Sequence, residues 1–310
     1  MKHIHVAALE QDAELAKKIG KKGSESDFAI YNCKEEGRVL CLDHPAKYPE
    51  KIQPLLYCLS LCDVAYIRPN AIDRFVGEII VALGVFGKKL IVVVDKVSRE
   101  EIEPLLKSAG LSDYEFFEGG EIELREKLLA EGSTRKAEGK TEVLIDSCFP
   151  VKGVGTIALG IVQQGKVLLH QKLEFVPAGI SSEVKSIQVQ DENVDEAEAS
   201  SRVGLNLKGV EPEKVGKGDL AVEEKFASAS KFEASVSFTK FYRGDFESVQ
   251  FFVLSGLMFV ACKAKKLASG NYEIEAGAPL PLRQGDGMCV FLPEAMPRVI
   301  GKAKVEKIIA

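Results

Sequence analysis

The chain changes its sequence pattern once, near residue 132, and this change limits the folds available to it. Before that point, short apolar runs such as LIVVV (90–94) alternate with amphipathic stretches of helical period. After it, β-type runs are separated by glycines at intervals of about eight to twelve residues. The first pattern predicts a mostly parallel sheet covered by helices on both faces, and the second predicts closed β-barrels.

A polar, turn-rich segment, GSTRKAEGK (132–140), separates the two patterns and is typical of a linker. We therefore expect three domains, namely an α/β domain over 1–136 and β-barrel domains over 141–222 and 223–310. In the α/β part, helices are predicted over 12–20, 49–62, 75–87, 99–110 and 122–132. Gly20 is expected to end the first of these helices as a C′ glycine.

Composition and charge exclude several classes of protein. Of 310 residues, 46% are hydrophobic and 28% charged, and the net charge is −5, so the bulk composition indicates neither disorder nor DNA binding. The N-terminus has no signal-peptide pattern, and the apolar runs are too short to span a bilayer. We expect a soluble cytoplasmic protein without a membrane partner.

The seven cysteines fit this expectation, since several lie in apolar runs and an odd number favours reduced thiols. Cys58 and Cys62 lie four residues apart in a predicted helix. Histidine is absent from their neighbourhood in the sequence, and so no metal site is predicted there.

A series of residues between Ile145 and Gly209 suggests a family. It consists of Ile145-Asp146, Val151, Gly153, Gly155, Thr156, Gly160, Gly165, Ser186-Ile187-Gln188, Arg202-Val203-Gly204 and Leu207-Lys208-Gly209. This series resembles domain 2 of the translational GTPases of the EF-Tu class, in particular their SelB-like archaeal branch. The order and spacing of the first domain resemble the same family. The resemblance implies a P-loop-NTPase-like, doubly wound G domain followed by two β-barrels, with GTP and Mg²⁺ as cofactors and with tRNA and the ribosome as partners.

The phosphate-binding loop of that family is altered in this chain. A P-loop has the pattern G-x-x-x-x-G-K-[ST], in which backbone amides cradle phosphate oxygens, the lysine neutralises charge and the hydroxyl holds Mg²⁺. The corresponding turn has Ala8 and Ala13 at the glycine positions, Glu14 at the lysine and Leu15 at the hydroxyl. We also expect Glu10, Asp12 and Glu14 to lie where phosphates would lie, and to repel an anion there.

Two further nucleotide motifs of the family are altered as well. In the D-x-P-G-H element the aspartate is kept as Asp43, but the glycine is Ala46 and the catalytic histidine is Lys47. His44 lies at a different position and is expected to be an exposed loop residue. In the N-K-x-D element, which reads guanine, the chain has Asp95, Lys96 and, at the aspartate position, Ser98. A serine does not supply the paired carboxylate acceptor.

These three changes together predict a degenerate G domain that binds no nucleotide cofactor and catalyses no GTP hydrolysis. The resemblance places the aminoacylated end of tRNA near Gln188, Val189 and Arg202, although the same residues could simply pack the barrel surface. Three functions stay open. The chain is a SelB-like or EF-Tu-like elongation-factor paralogue that binds tRNA, the ribosome or another translation component; a regulatory pseudo-GTPase that pairs with another translation factor; or a GTP-binding factor with an atypical site.

Overall fold

The structure, a computed structural model, describes residues 2–35 and 37–309. Contacts divide the chain into two compact units. Unit 1 comprises Met1–Ser133, Ser237–Asp245 and Cys289–Lys302, and unit 2 comprises Thr134–Val236, Phe246–Met288 and Ala303–Ala310. The three domain ranges given above stay a prediction. Among the helices of the described part, none combines the length and the apolar character needed to cross a bilayer.

An α/β sheet forms most of unit 1. Its strands in the described residues are β1 (Lys2–Glu10), β2 (Lys21–Glu25), β3 (Ala29–Glu35), β4 (Arg38–His44), β5 (Val64–Arg68), β6 (Lys89–Val93) and β7 (Tyr114–Phe117). Its helices are α1 (Glu14–Ile19), α2 (Gln53–Leu61), α3 (Arg74–Phe86), α4 (Arg99–Ser108) and α5 (Glu121–Ala130). The strand order is β2-β3-β4-β1-β5-β6-β7, with β4, β1, β5, β6 and β7 parallel and β2 and β3 antiparallel at one edge. The predicted mostly parallel sheet is confirmed.

The alternation of side chains along β1 divides the core of this sheet into two faces. Ile4, Val6 and Ala8 pack in one cluster with residues of α1 and α5. The odd-numbered residues of β1 point to the opposite face, and α2 packs on β1 and β4. Both faces are therefore covered, as expected for buried parallel strands.

Gly20 follows α1, but the reason predicted for a glycine at this position is wrong. Its backbone is extended, at φ −130° and ψ 158°, rather than left-handed. A Cβ at Gly20 would lie 3.0 Å from the backbone carbon of Tyr31 on β3. The glycine is needed for the close approach of two chain segments, which a local sequence pattern does not reveal.

Helix α3 carries a buried ion pair inside unit 1. The Glu78 side chain is fully buried, and its carboxylate accepts hydrogen bonds from the Arg298 backbone N–H at 2.7 Å, Nε at 3.0 Å and Nη2 at 2.5 Å. The Tyr48 hydroxyl donates to the same carboxylate at 3.1 Å. Burial, reinforced by Glu78, raises the pKa of Tyr48 well above its usual range. The three groups fix α3 against the segment 289–302 of the same unit.

The first β-barrel lies in unit 2, in a part of the chain that is described throughout. Its elements are β8 (Glu142–Val151), β9 (Gly155–Gln164), β10 (Lys166–Leu168), β11 (Lys172–Val176), β12 (Ile180–Val189), β13 (Glu192–Val194), β14 (Glu196–Glu198), β15 (Arg202–Leu207), a 3₁₀ helix (Pro212–Lys214) and β16 (Leu220–Val222). Six strands close in the order β11-β16-β8-β9-β15-β12, since β12 also pairs with β11. The β8–β9 turn uses Gly153 at φ 79° and Gly155 at φ 118°, values that other residues rarely adopt.

A second barrel closes from six further strands. They are β17 (Ser228–Phe238), β18 (Phe251–Ser255), β19 (Met258–Lys266), β20 (Tyr272–Pro281), β21 (Gly287–Phe291) and β22 (Val299–Ile309), in the order β17-β20-β19-β18-β21-β22. Its strands carry fully buried aromatic side chains, among them Phe232, Phe251 and Phe291. The predicted fold class, an α/β domain followed by two barrels, is confirmed.

Candidate functional site

The turn between β1 and α1 is the segment in which the resemblance predicts an altered P-loop. Strand β1 continues to Glu10, so that Ala8 is a fully buried strand residue rather than part of a loop. Asp12 and Ala13 then adopt left-handed backbone conformations, at φ 57° and φ 52°, and α1 begins at Glu14. Ala13 is the N-cap of α1, and its side chain accepts no hydrogen bond. The backbone N–H groups of the first helical turn therefore need acceptors from another residue.

Those amides bind the carboxylate of Glu10. Its Oε2 accepts from the Leu15 N–H at 3.0 Å, and its Oε1 accepts from the Ala16 N–H at 2.8 Å. The Tyr66 hydroxyl donates to Oε1 at 2.6 Å, and the Glu10 side chain is only 1% exposed. In a P-loop, amides at the start of this helix hold phosphate oxygens. In this chain they hold a carboxylate of the chain itself.

The Tyr66 hydroxyl is a hydrogen-bond donor that keeps its proton. It lies on β5, next to β1, and is fully buried. Burial is the main cause that raises the pKa of Tyr66 well above its usual range, and the Glu10 carboxylate adds to it. The phenol therefore stays protonated over the range in which proteins fold.

Arg68 binds three carboxylates at the carboxyl edge of the sheet. Its Nη1 lies 2.6 Å from Glu14 Oε2 and 3.7 Å from Glu10 Oε2, and its Nη2 lies 2.5 Å from Asp95 Oδ2. The hydrogen bond from Arg68 lowers the pKa of Glu14. A cation thus lies among the acidic residues and offsets part of their negative charge.

The backbone N–H groups of Leu15 and Ala16 form an amide cradle, and of the three acids expected to lie there only Glu10 binds it. Glu14 is 53% exposed and reaches out to Arg68, whereas Asp12 is exposed in the turn. The prediction that all three lie in the cradle is wrong for these two, because the left-handed turn ends one residue before Glu14 and directs it outward. A cavity of about 450 Å³ remains beside Glu10, lined among others by His44, Tyr48 and Phe75.

The segment compared above with the D-x-P-G-H element follows β4. Asp43 is the penultimate residue of that strand, is 1% exposed, and places Oδ2 3.9 Å from His5 Nδ1. Ala46 and Lys47 lie exposed in the loop, with Lys47 Nζ 3.7 Å from Asp27. This segment has Lys47 where the resemblance places a catalytic histidine.

His44 differs from the expectation of an exposed loop residue. It ends β4, is half-buried, and its Nδ1 lies 3.1 Å from the backbone oxygen of Ala8. Burial is the main cause that lowers its pKa. The prediction was wrong because the strand extends one residue beyond the apolar run that marked it.

The segment compared above with the N-K-x-D element forms the start of a helix. Ser98 is the N-cap of α4, and its hydroxyl accepts from the Glu101 N–H at 3.4 Å. Glu101 in turn accepts from the Ser98 N–H at 2.8 Å, which completes a capping box. Asp95 is engaged by Arg68, and Lys96 is exposed. Ser98 and Glu101 thus stabilise the start of α4, and Asp95 binds Arg68 at the sheet edge.

The residues predicted to receive a tRNA end lie on the first barrel. Gln188 on β12 is exposed, pairs with Gly204 on β15, and donates to Asn193 at 3.1 Å. Arg202 is two residues before Gly204 and forms an ion pair with the buried Asp146. Val189 instead packs against the barrel core. Gln188 and Arg202 thus share the outer face, since residues two apart on a strand point the same way, while Val189 does not join them.

Comparisons with known proteins agree with this architecture. Residues 155–222 match the family described as elongation factor Tu domain 2. The uncharacterized protein MJ0325 of Methanocaldococcus jannaschii is 29% identical over 294 residues, which cover 94% of this chain and 96% of that protein. The selenocysteine-specific elongation factor of the same organism is 38% identical over 101 residues, which cover 32% of this chain and 22% of that protein.

The same fold occurs in a solved structure. Translation elongation factor SelB from Methanococcus maripaludis, in complex with the GTP analogue GppNHp, superposes with a TM-score of 0.82 at 20% identity. The match covers all of this chain and 80% of that one. Residues 155–222 are thus similar to domain 2 of elongation factor Tu, and the chain as a whole has the fold of that SelB structure.

Proposed function

We propose that this relative of the translational GTPases is a cytoplasmic translation factor that binds tRNA or another translation component without binding or hydrolysing GTP. The observation that carries the proposal is the position of Glu10. Its carboxylate binds the Leu15 and Ala16 amides at the start of α1, where a phosphate would bind in a P-loop. The Glu10 carboxylate is a negative group that belongs to the chain, and it already accepts the hydrogen bonds that a bound phosphate would need.

The size of the effect supports this proposal. A phosphate oxygen about 4 Å from the Glu10 carboxylate would be repelled by about 4 kcal/mol at an effective dielectric constant of about 20. That energy corresponds to a loss of affinity of about 1,000-fold. Arg68 offsets only part of the repulsion, because it is one positive charge beside the three carboxylates of Glu10, Glu14 and Asp95.

The guanine side of the site supports the same proposal independently. Ser98 caps α4 and Asp95 binds Arg68, so neither residue is available as a carboxylate acceptor for the two nitrogen donors of guanine. A lost hydrogen bond to a charged group costs about 1.5–3 kcal/mol. The arguments against phosphate binding and against guanine binding are independent, because they rest on different residues.

Exposed side chains on the first barrel and in unit 1 are the basis for proposing RNA binding. The domain 2 match at 155–222 contains Gln188, whose side chain is exposed on the outer face. In unit 1, Lys17 and Lys18 in the last turn of α1 and Lys21 on the edge strand β2 are exposed as well. Exposed lysines of this kind bind phosphates and make affinity fall with salt.

Filter binding of the full chain to aminoacyl-tRNA, deacylated tRNA and ribosomes tests the proposal. We expect saturable binding to at least one of them, weakening as salt rises and unchanged by GTP, GDP or GppNHp. Gln188→Ala is expected to weaken binding of aminoacyl-tRNA, whereas Gln250→Ala, a matched change of an exposed glutamine outside the domain 2 match, is not. Absence of saturable binding to all three at low salt contradicts the proposal.

A regulatory role in pairing with another translation factor is the second candidate. Both polar side chains of the predicted tRNA-end site have partners within the chain, Arg202 with Asp146 and Gln188 with Asn193. At the β8–β9 hairpin, Phe149 and Val154 are 39% and 49% exposed, which is more typical of a protein contact than of an RNA contact. Co-purification of the untreated and the nuclease-treated chain distinguishes the two roles, because a protein partner that survives nuclease treatment favours this second candidate.

A further inference from the structure

A group of soft metal-binding side chains lies in the core of the α/β sheet, apart from the carboxyl-edge cluster. His3 and His5 on β1 and Cys41 on β4 each offer a ligand atom, and these three atoms all lie within 4.8 Å of one another. The residues are 1%, 1% and 0% exposed. Cys41 forms no disulfide.

The sheet geometry explains why these residues meet. His3 and His5 are two apart on β1 and so point to the same face. Cys41 is the register partner of His5 on the adjacent parallel strand. Cys41 Sγ consequently lies 4.0 Å from His3 Nδ1, while the two imidazole rings are nearly parallel at 21°.

A fourth donor stands beside the group. Asp43 is two residues after Cys41 on the same strand, is also buried, and places Oδ2 3.9 Å from His5 Nδ1. Imidazole nitrogen, thiolate sulfur and carboxylate oxygen are each ligands of zinc, which takes four of them in a tetrahedral arrangement. With bonds of about 2.0–2.3 Å, the ligand atoms of a tetrahedral site lie about 3.3–3.8 Å apart. The distance of 4.0 Å between Cys41 Sγ and His3 Nδ1 is slightly above this range, and all three atoms of His3, His5 and Cys41 lie within 4.8 Å of one another. Asp43 lies outside this group of three, beside His5, and its carboxylate has to turn toward the ion to become the fourth ligand.

We propose that His3, His5 and Cys41, with Asp43 as the fourth ligand, bind one Zn²⁺ ion inside the sheet. The thiol of Cys41 loses its proton on binding and Asp43 is ionised, so the two negative ligands balance the charge of the ion. A neutral complex is compatible with an apolar interior, whereas an isolated ion there is not. The thiolate and imidazoles exclude Mg²⁺ and Ca²⁺, which prefer oxygen ligands.

The site has a structural role, and it does not depend on the proposed function. It joins β1 to β4, the two strands from which the Glu10 turn and the Asp43–Lys47 loop emerge. Four protein ligands leave no open position on the ion, which is typical of structural rather than catalytic zinc.

Metal content of the full chain, prepared without a histidine tag, tests the site. Cells are grown with added zinc or cobalt, because a site this deeply buried exchanges metal slowly after folding. We expect one equivalent of metal per chain by mass spectrometry, and in the cobalt form the visible and thiolate-to-metal absorption of tetrahedral Co²⁺. X-ray absorption of the zinc form is expected to give one sulfur at about 2.3 Å and nitrogen or oxygen neighbours at about 2.0–2.2 Å.

Matched variants locate the ligands. Cys41→Ala is expected to lose the metal and the thiolate absorption, whereas Cys289→Ala, which also removes a buried thiol, keeps both. The measurements on the unmodified chain decide the question if Cys41→Ala does not fold. Less than about 0.1 equivalent of metal in the unmodified chain, cobalt absorption without a thiolate band, or full metal content in folded Cys41→Ala each overturns the proposal.

Discussion

Replacement of Glu10 tests the role assigned to its carboxylate. In the native chain, this group accepts hydrogen bonds from the Leu15 N–H, the Ala16 N–H and the Tyr66 hydroxyl at 3.0, 2.8 and 2.6 Å. It also lies 3.7 Å from Arg68 Nη1. Glu10→Ala removes all of these contacts at once, and Glu10→Gln removes the charge while it keeps one acceptor oxygen.

The magnitude follows from these contacts. A hydrogen bond contributes about 1 kcal/mol net to stability, and about 1.5–3 kcal/mol when one partner is charged. Removal of one partner from a buried charged cluster typically costs about 3–5 kcal/mol. We therefore expect Glu10→Ala to lower the free energy of unfolding by about 3–5 kcal/mol. Glu10→Gln should lower it by about 1.5–3 kcal/mol, since its amide nitrogen faces an N–H donor.

Two measurements test the expected loss of stability in the Glu10 variants. Urea denaturation followed by circular dichroism gives the stability, and hydrogen exchange of the peptide that contains Leu15 and Ala16 reports directly on the amides of the cradle. Added sulfate should restore part of the stability of Glu10→Ala but not raise that of the native chain, because only the variant has a vacant cradle.

Glu14→Gln is the matched control, since Glu14 is an acid of the same turn whose side chain is largely exposed. We expect it to leave exchange at Ala16 nearly unchanged. The reasoning about the cradle is refuted if Glu10→Ala is as stable as the native chain, or if exchange at Leu15 and Ala16 is not accelerated.

Three further predictions concern other parts of the molecule. Arg68→Ala should lower the free energy of unfolding by about 1–3 kcal/mol, because three carboxylates lose a shared cation. A loss no larger than that caused by replacing an exposed arginine with alanine would contradict this. Arg298→Ala should cost about 3–5 kcal/mol by leaving Glu78 buried and uncompensated, and the double variant with Glu78→Gln should recover part of the loss in a denaturation cycle. Burial raises the pKa of Cys33, and it raises the pKa of Cys148 to about 11. Alkylation of the native chain at mildly alkaline pH should therefore label these two half-buried thiols slowly, and the other five only after unfolding. Rapid labelling of any of those five in the native chain, detected by mass spectrometry, would refute the assigned burial.

The fold was predictable because its signals are periodic and repeated. Near-continuous apolar strands alternating with amphipathic helices indicated a covered parallel sheet, and glycine-separated β-runs indicated barrels. The short antiparallel strand β2 was missed, because all five of its residues are exposed and it has no apolar alternation. Only its pairing with β3 makes it a strand.

The candidate site was predictable in part. The missing P-loop residues were evident from the sequence, but the roles of Arg68 and Tyr66 were not recognised. A signal for Arg68 was present, since β1 ends at Glu10, its neighbour β5 ends at Arg68, and the carboxyl ends of parallel strands meet at one edge. The left-handed turn at Asp12 and Ala13, which sends Glu14 outward, has no such signal, because neither residue is a glycine.

The buried histidine and cysteine group illustrates a different limit. His3 and Cys41 lie far apart in the sequence and match no metal-binding spacing, whereas Cys58 and Cys62 drew attention by their spacing alone. Only the register of β1 against β4 brings His5 opposite Cys41. Strand register depends on the whole sheet rather than on any local pattern.

Titration of the full chain with a fluorescent GTP analogue in the presence of Mg²⁺ tests the central claim most directly. The account predicts no saturable binding at analogue concentrations up to about 1 mM, for GTP and GDP forms alike, because Glu10 occupies the phosphate cradle and Ser98 caps α4. Saturable binding with a dissociation constant of about 1 μM, displaced by unlabelled GTP, would contradict it.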